Sequence, residues 1–477
     1  MSFVSFTFAI FFVVFISLFF IASHLKKNAV LFQQILIFLA SLIFYAWADL
    51  KFVPFLLYVT AITYFAGRLF SEKEIKSRLF LALVVVADLA PLLFFKYAPS
   101  SWHKGIIFPL GLSFFTFQSL SYIIDCRSKK IEVEKNPFMV MLFVSFFPVI
   151  SLGPIQRPGN LIPQLKTLHR FDYDNAADGL RIFLWGVFKK FCVADALAVY
   201  VDYVYKSGGI STMPSPALLL AILFYSFQLY CDFSGYSDMA IGVARFMGFD
   251  AGKNFDHPFL ATSVGDFWRR WHMSLSFWFR DYVYIPLGGS RVPLVRLYAN
   301  LLITFLVSGI WHGSTWNFAI WGLLNGFYQC VGRATKGFWE KIKPPVFVRI
   351  ALTFCLLTFS LIFFRAETFS DVWDIIRGIA RMPQDMAMFF AMKSQFGLKQ
   401  AVKTILAIDG GFVNMVNRLF TLAIFICISI STRNKNGLEI IKSKPAVVRW
   451  AVYYTFCLLI IYFFNTGFVT NFIYRNF

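Results

Sequence analysis

The chain alternates long apolar runs with short charged connections, and the lengths of the runs set the first expectation. About 20 apolar residues suffice for a helix to cross the hydrocarbon core of a bilayer. Runs of that order fall at 3–22, 29–48, 52–70, 79–95 and 107–124. They return at 298–310, 315–332 and 347–364, and again at 418–431 and 448–465. The first has no basic stretch before it and no small-residue cleavage site, so a retained spanning helix is expected there and not a signal peptide. The middle is less regular. Leu180–Tyr205 is interrupted by Lys189, Lys190 and Asp195, which predicts a half-helix or a helix at the interface. Segments 216–231 and 233–248 are apolar but carry Asp232 and Asp238. Residues 266–291 are too charged to face lipid, and polar backbone at membrane depth is tolerated only inside protein or along a cavity. A re-entrant segment is expected there. Residues 370–415 are amphipathic, with Pro383, Gly397, Gly410 and Gly411 as breakers, and predict an extramembrane or interfacial excursion. The sum is an all-α, polytopic membrane protein with about ten to twelve crossings. It reads as one membrane domain over 1–477: N-terminal spans in 1–135, a core in 136–335 and further spans in 336–477.

Composition agrees. Hydrophobic residues make up 58% and charged residues 15%, against roughly 45–50% and about 25% in soluble domains. Mean hydropathy is +0.66. The net charge of +20 sits in short runs between apolar segments, such as Lys26–Lys27, Arg127 with Lys129 and Lys130, and Lys189–Lys190. Such runs mark cytoplasmic loops, which places the N-terminus outside. No nucleic-acid-binding motif accompanies the charge, so nucleic acid is not expected as a partner. The seven cysteines show no metal-binding spacing and are expected to be buried, inert thiols. No metal site is expected. No internal repeat is visible, which weighs against inverted-repeat transporters.

Ionisable residues inside membrane segments are costly and default to functional hypotheses. They concentrate between 231 and 313. In Tyr230-Cys-Asp232-Phe-Ser-Gly235-Tyr-Ser-Asp238, the carboxylates either cap neighbouring helix N-termini across a helix break or orient a catalytic group, Asp238 being the better candidate for the second. The stretch from Asp266 through Arg269, Arg270, His272 and Arg280 to Asp281 and Tyr282 also has two readings. Its guanidinium groups suit phosphate or pyrophosphate binding, or they snorkel from an interfacial helix and pair with Asp266 and Asp281. In Ser308-Gly309-Ile-Trp311-His312-Gly313, a histidine follows ten apolar residues. It is either satisfied structurally or takes a hydroxyl proton near neutral pH. Gly309 and Gly313 permit close approach of backbone or ligand. There is no G-x-S-x-G elbow, H-E-x-x-H helix or P-loop lysine, so direct transfer from an activated donor is simpler than a covalent enzyme intermediate.

At these residues the sequence resembles the membrane-bound O-acyltransferase (MBOAT) family, and within it the bacterial branch of alginate O-acetylation membrane subunits. The matching stretches are Phe44-Tyr-Ala-Trp47, Pro109-Leu-Gly-Leu-Ser-Phe-Phe-Thr-Phe-Gln118, Gly153-Pro-Ile-Gln-Arg157, Asp232 to Gly242, Phe267-Trp-Arg-Arg-Trp-His272 through Gly289, and Trp311-His-Gly313. Weaker likeness reaches Phe472-Ile-Tyr474. The resemblance implies a cytosolic acyl-CoA donor, acetyl-CoA, and an acceptor entering from the far side through a membrane-embedded tunnel. It places His312 at the family's principal histidine, His272 at a second histidine of the bacterial branch, and Arg157 at a motif position.

The expectation is therefore an O-acyltransferase of the bacterial inner membrane. His312 acts as general base with His272 assisting, Trp311, Asp238 and Asp281 support or orient, and Arg157, Arg269, Arg270 and Arg280 hold the donor. The resemblance further implies an extracytoplasmic partner acyltransferase of the SGNH-hydrolase type and a polysaccharide acceptor, alginate-like or peptidoglycan. Alternatives are D-alanyl transfer from a carrier protein to teichoic acid, a transporter or flippase without chemistry, and an assembly platform docking through 370–415.

Overall fold

The computed structural model describes the whole chain except residues 26, 73–74, 76, 100–101, 103–107, 207–208, 409–410, 434, 466–471 and 474–477. Lys26, Gly410 and Tyr474 therefore lie outside the described residues. The N-terminal helices are α1 (Phe6–Ala22), α2 (Ala29–Ala46), α3 (Val53–Glu72), α4 (Arg78–Tyr97) and α5 (Leu112–Arg127). Serine side chains close the first turns of α1 and α4, Ser5 accepting from the Phe8 amide and Ser77 from the Phe80 amide, as N-cap residues do. The central helices are α6 (Pro137–Ser145), α7 (Pro158–Leu165), α8 (Tyr173–Phe188), α9 (Ala196–Lys206), α10 (Ser215–Phe246), α11 (Val264–Trp268), α12 (Met273–Phe279), α13 (Leu294–His312) and α14 (Trp316–Ala334). The remainder comprises α15 (Lys336–Ile342), α16 (Val346–Arg365), α17 (Phe369–Ala380), α18 (Met382–Phe396), α19 (Leu398–Ile405), α20 (Phe412–Ser431), α21 (Gly437–Lys442) and α22 (Ala446–Asn465). One apolar core runs from Met1 to Phe463.

Eight helices among the described residues are long and apolar enough to span a membrane: α2, α3 with the turn before it, α4, α10, α13, α16, α20 and α22. That is fewer than the apolar runs suggested, for identifiable reasons. Helix α1 is only 17 residues long, the run at 107–124 contains the 16-residue α5, the run at 315–332 is the polar-interrupted α14, and the runs at 216–231 and 233–248 are one 32-residue helix, α10.

No break occurs at Asp232–Asp238 because lysines just after α8 neutralise the carboxylates of α10. Lys190 lies 2.7 Å from Asp232 and 2.8 Å from Asp195, and Lys189 lies 2.7 Å from Asp238. Both lysines belong to a fully buried π-helical segment, Lys189–Asp195, joining α8 to α9. The interruption that predicted a half-helix is thus an internal wind of a continuous element. Close approach of the two helices depends on Gly179 and Gly186 facing Gly242 and Gly235. A Cβ on Gly186 would stand 2.5 Å from the Gly235 carbonyl oxygen, and one on Gly242 would stand 2.6 Å from that of Gly179. Small residues at such spacing let backbones meet inside lipid.

Residues 266–291 form two short helices and a π-helical turn, Arg280–Tyr284. The excursion at 370–415 contains α17, opened by a Thr368–Asp371 capping box, then α18 and α19. Pro383 lies in the first turn of α18, just past the end of α17 at Ala380. All seven cysteines are free thiols, but only Cys126, Cys192 and Cys231 are buried. Cys355, Cys427 and Cys457 sit on outward faces of α16, α20 and α22, because an apolar run in a spanning helix faces lipid as readily as protein.

Candidate active site

Helix α13 ends on His312, which is 2% exposed. Helix α14 turns back against it through glycine: a Cβ on Gly309 would stand 2.3 Å from the Phe318 carbonyl oxygen, and one on Gly313 would overlap the Phe318 ring. These glycines therefore serve packing by α14. The His312 ring meets Trp311 at 4.8 Å, Trp321 at 5.0 Å and Phe364 at 5.5 Å between centroids, each steeply inclined. The last carbonyls of α13 are held from α4. Tyr97 donates to the Ile310 oxygen at 2.7 Å and the Lys96 ammonium donates to the Trp311 oxygen.

His272 is 1% exposed and has left-handed backbone angles, φ 42° and ψ 56°. A bulky residue there costs of order 1 kcal/mol or more and persists only where its surroundings impose it. Phe114 lies stacked at 6.0 Å and Phe233 edge-on at 4.6 Å. Its Nδ1 is 3.3 Å from Asn254 Oδ1, which also accepts from the Ser274 amide and hydroxyl. A side-chain amide oxygen can only accept, so Nδ1 carries the proton. Nε2 keeps its lone pair and has no hydrogen-bond partner among the described residues. The two imidazoles flank one indole: Trp311 is 6.4 Å from the His272 ring and 4.8 Å from that of His312. Trp311 Nε1 is also buried without a partner among the described residues.

The arginines divide. Arg157 lies 3.2 Å from Asp281 and 4.5 Å above the Tyr282 ring, and Arg280 lies 2.8 Å from the other Asp281 oxygen. Arg157 Nη1 is buried with no partner among the described residues. Arg270 belongs to another cluster, 2.9 Å from Asp266 and 3.8 Å from Asp256. Burial alone would raise the Asp266 carboxyl, but hydrogen bonds from Arg270 and the Thr262 amide outweigh it and hold it below the usual carboxylate range. Arg269 is largely exposed and only 3.8 Å from Asp266.

Asp238 is a correction. The expectation that it orients an imidazole fails because its carboxylate is paired with Lys189, and no contact joins it to either histidine among the described residues. Asp232 accepts from Lys190 and, at 2.7 Å, from the Ile473 amide, while Phe472 lies 4.2 Å from the Lys190 ammonium.

Sequence reasoning missed Asn254, Lys96 and Tyr97. Lys96 follows an apolar run and resembles an ordinary flanking cation, whereas Asn254 sits in a polar loop without any periodic signal. An aromatic-walled cavity of about 160 Å³ between α10, α16 and α20 was also unforeseen; His257, itself left-handed at φ 46°, lines it.

Comparison with known proteins shows the family. The family model described as the membrane-bound O-acyltransferase family matches residues 71–346. A peptidoglycan O-acetyltransferase of Helicobacter pylori is 35% identical over 404 residues, covering 76% of each chain. A probable alginate O-acetylase AlgI of Azotobacter vinelandii is 35% identical over 364 residues, covering 72% of this chain and 71% of that one. A teichoic acid D-alanyltransferase of Bacillus subtilis is 29% identical over 313 residues, covering 60% and 77%. With more than half its length matched by the family and two such relatives across about three quarters of it, this multi-pass membrane chain belongs to the membrane-bound O-acyltransferase family.

Proposed function

We propose that the protein takes an acetyl group from cytosolic acetyl-CoA and delivers it across the bacterial inner membrane for O-acetylation of an exported polysaccharide, alginate-like or peptidoglycan. The observation that carries this reading is the pair of buried imidazoles on either side of Trp311. Around them are a lone pair on His272 Nε2 and a donor on Trp311 Nε1, neither engaged among the described residues. In the reaction a hydroxyl oxygen bonds to the thioester carbon, the carbon–sulfur bond breaks, and the hydroxyl proton passes to His312 and on to the leaving thiolate. General base catalysis of this kind contributes typically ~10²–10⁴-fold. His272 positions a reactant or assists the proton's passage. Arg157, held by Asp281 and stacked on Tyr282, keeps a spare donor for a donor phosphate, and Arg280 joins it through Asp281. Arg269 and Arg270 form a second basic patch suited to the same anion. The N-terminus lies outside, and the acetyl passes directly or through an extracytoplasmic SGNH-type acyltransferase to the polymer.

His312→Ala should reduce CoA release by purified protein about 10²–10⁴-fold and remove base-labile acetate from surface polymers, with the protein still folded. Wild-type release by that variant would sink the assignment. The likeness to teichoic acid D-alanyltransferases favours one second reading, a D-alanyl group arriving on a carrier protein. Protein that ignores acetyl-CoA but discharges the charged carrier would establish it.

A further inference from the structure

Beside His312 lies a small cavity that the proposed chemistry does not use. Its volume is about 20 Å³, and its walls include Phe267, Trp268, Trp271, Trp321, Asn325 and Phe364. Trp321 and Phe364 are the rings packed on His312 at 5.0 and 5.5 Å. Three side-chain atoms of these lining residues are buried with no hydrogen-bond partner among the described residues: the indole Nε1 of Trp268, the indole Nε1 of Trp321, and Asn325 Oδ1. Local structure explains the set. Asn325 lies one turn after Trp321 on α14, and its amide nitrogen donates to the Trp321 carbonyl at 2.9 Å, so its oxygen is the side-chain atom left without a partner among the described residues. Trp268 closes α11, and its ring stands 5.8 Å from that of Trp321 at 68°.

Buried polar groups without partners are rare, and each one calls for an explanation. A cavity needs about 10–15 Å³ to hold one water, and buried waters typically make about three hydrogen bonds. Two donors and one acceptor around such a space select the occupant. A carbonyl oxygen would satisfy both indoles but strand Asn325 Oδ1, and an ammonium would do the reverse. Water accepts twice and donates to Asn325, satisfying all three.

We propose that this cavity holds one ordered water beside His312, with both lone pairs engaged by Trp268 and Trp321 and one hydrogen by Asn325, and that this engagement keeps it from attacking the acyl donor. Hydrolysis would need that oxygen to bond to the thioester carbon as the carbon–sulfur bond breaks, with one water proton leaving on the thiol. An oxygen whose lone pairs both accept hydrogen bonds has none to give. Removing one indole N–H frees a lone pair in a cavity whose Trp321 and Phe364 walls pack on His312. The consequence for hydrolysis rests on the acyltransfer reading; the water itself does not.

The test uses full-length protein in nanodiscs. The ultraviolet resonance Raman band that reports hydrogen bonding at indole N–H is taken as wild type minus Trp268→Phe and wild type minus Trp321→Phe. Hydrogen-bonded indoles are expected in both differences, and free indoles would overturn the water. The same variants are then given acetyl-CoA with and without an acceptor hydroxyl, glycerol. The ratio of acceptor-independent CoA release to glycerol acetylation should rise about tenfold in each, and an unchanged or lower ratio would overturn the restraint. Because it is a ratio, a general loss of activity from disturbing His312 does not imitate it. A wild type releasing no CoA would count against the acyltransfer reading and leave the Raman result to decide the site.

Discussion

The ammonium of Lys96, at the end of α4, donates to the main-chain carbonyl of Trp311, one residue before His312. Helix ends leave carbonyls without intrahelical partners, and a cation there also meets the negative end of the helix dipole. Together with the Tyr97 hydroxyl on Ile310, Lys96 fixes the turn that presents the imidazole. Displacing a catalytic group by about 1 Å can cost up to ~10²-fold, so Lys96→Met should lower the turnover number about tenfold with little change in KM for the donor. Tyr97→Phe should cost about two- to threefold on the same reasoning. Steady-state CoA release measures both. A KM effect with unchanged turnover would instead make Lys96 a donor-binding group.

The α8–α10 contact leads to a stability prediction. At Gly186 an added side chain meets a main-chain oxygen at 2.5 Å, which cannot swing aside as a side chain would. Gly186→Val should destabilise by about 1–3 kcal/mol, the usual range for overpacking, seen as a lower unfolding temperature in detergent. Gly332, with nothing within 4 Å of an added Cβ, is the control. Gly332→Ala should be neutral or stabilising by about 0.4–1 kcal/mol.

These two cases mark what the sequence made legible and what it did not. Apolar runs located most spanning helices because crossing hydrocarbon demands an apolar run whatever the tertiary contacts. Trp311, His272 and His312 stand out in the sequence because polar groups at that depth need a reason. Asp238 misled because a carboxylate in an apolar run is equally conspicuous whether it serves an imidazole or a lysine, and only the packing of α8 on α10 places Lys189 within reach. Asn254 and Lys96 act through tertiary contacts of a loop and a helix end with residues outside their own elements, and no local periodicity encodes those. The cavity beside His312 is defined by atoms lacking partners, a property that exists only after folding.

The charges buried between α8 and α10 are a further case in which removal and replacement should differ. Lys190 is 1% exposed between Asp195 and Asp232. Breaking a buried pair from one side costs about 3–5 kcal/mol because an uncompensated charge remains, while replacing the whole group by neutral residues is often close to neutral. Lys190→Met should therefore collapse the yield of monodisperse protein, and Lys190→Met combined with Asp195→Asn and Asp232→Asn should recover most of it. Size-exclusion profiles after detergent extraction make the comparison. Equal yields from the single and the triple variant would mean that the ion cluster is not what holds the π-helical segment in place.

Asn254 determines which nitrogen His272 offers, which separates a positioning role from a packing one. Its Oδ1 accepts from His272 Nδ1 at 3.3 Å and from Ser274, while its amide nitrogen donates to Ser237 at 3.1 Å. Asn254→Asp keeps the acceptor and loses only the bond to Ser237. Asn254→Leu keeps the volume and loses every bond, leaving the imidazole free to turn or to carry its proton on Nε2. If His272 works through Nε2, transfer should fall about 10-fold or more in Asn254→Leu, on the scale that misplaced catalytic groups show, and should be largely retained in Asn254→Asp. A packing role would instead favour Asn254→Leu, the apolar substitution. Acetyl transfer rates of the two variants, compared at equal folded fraction, give the order directly, and a Leu variant as active as the Asp variant would remove His272 Nε2 from the mechanism.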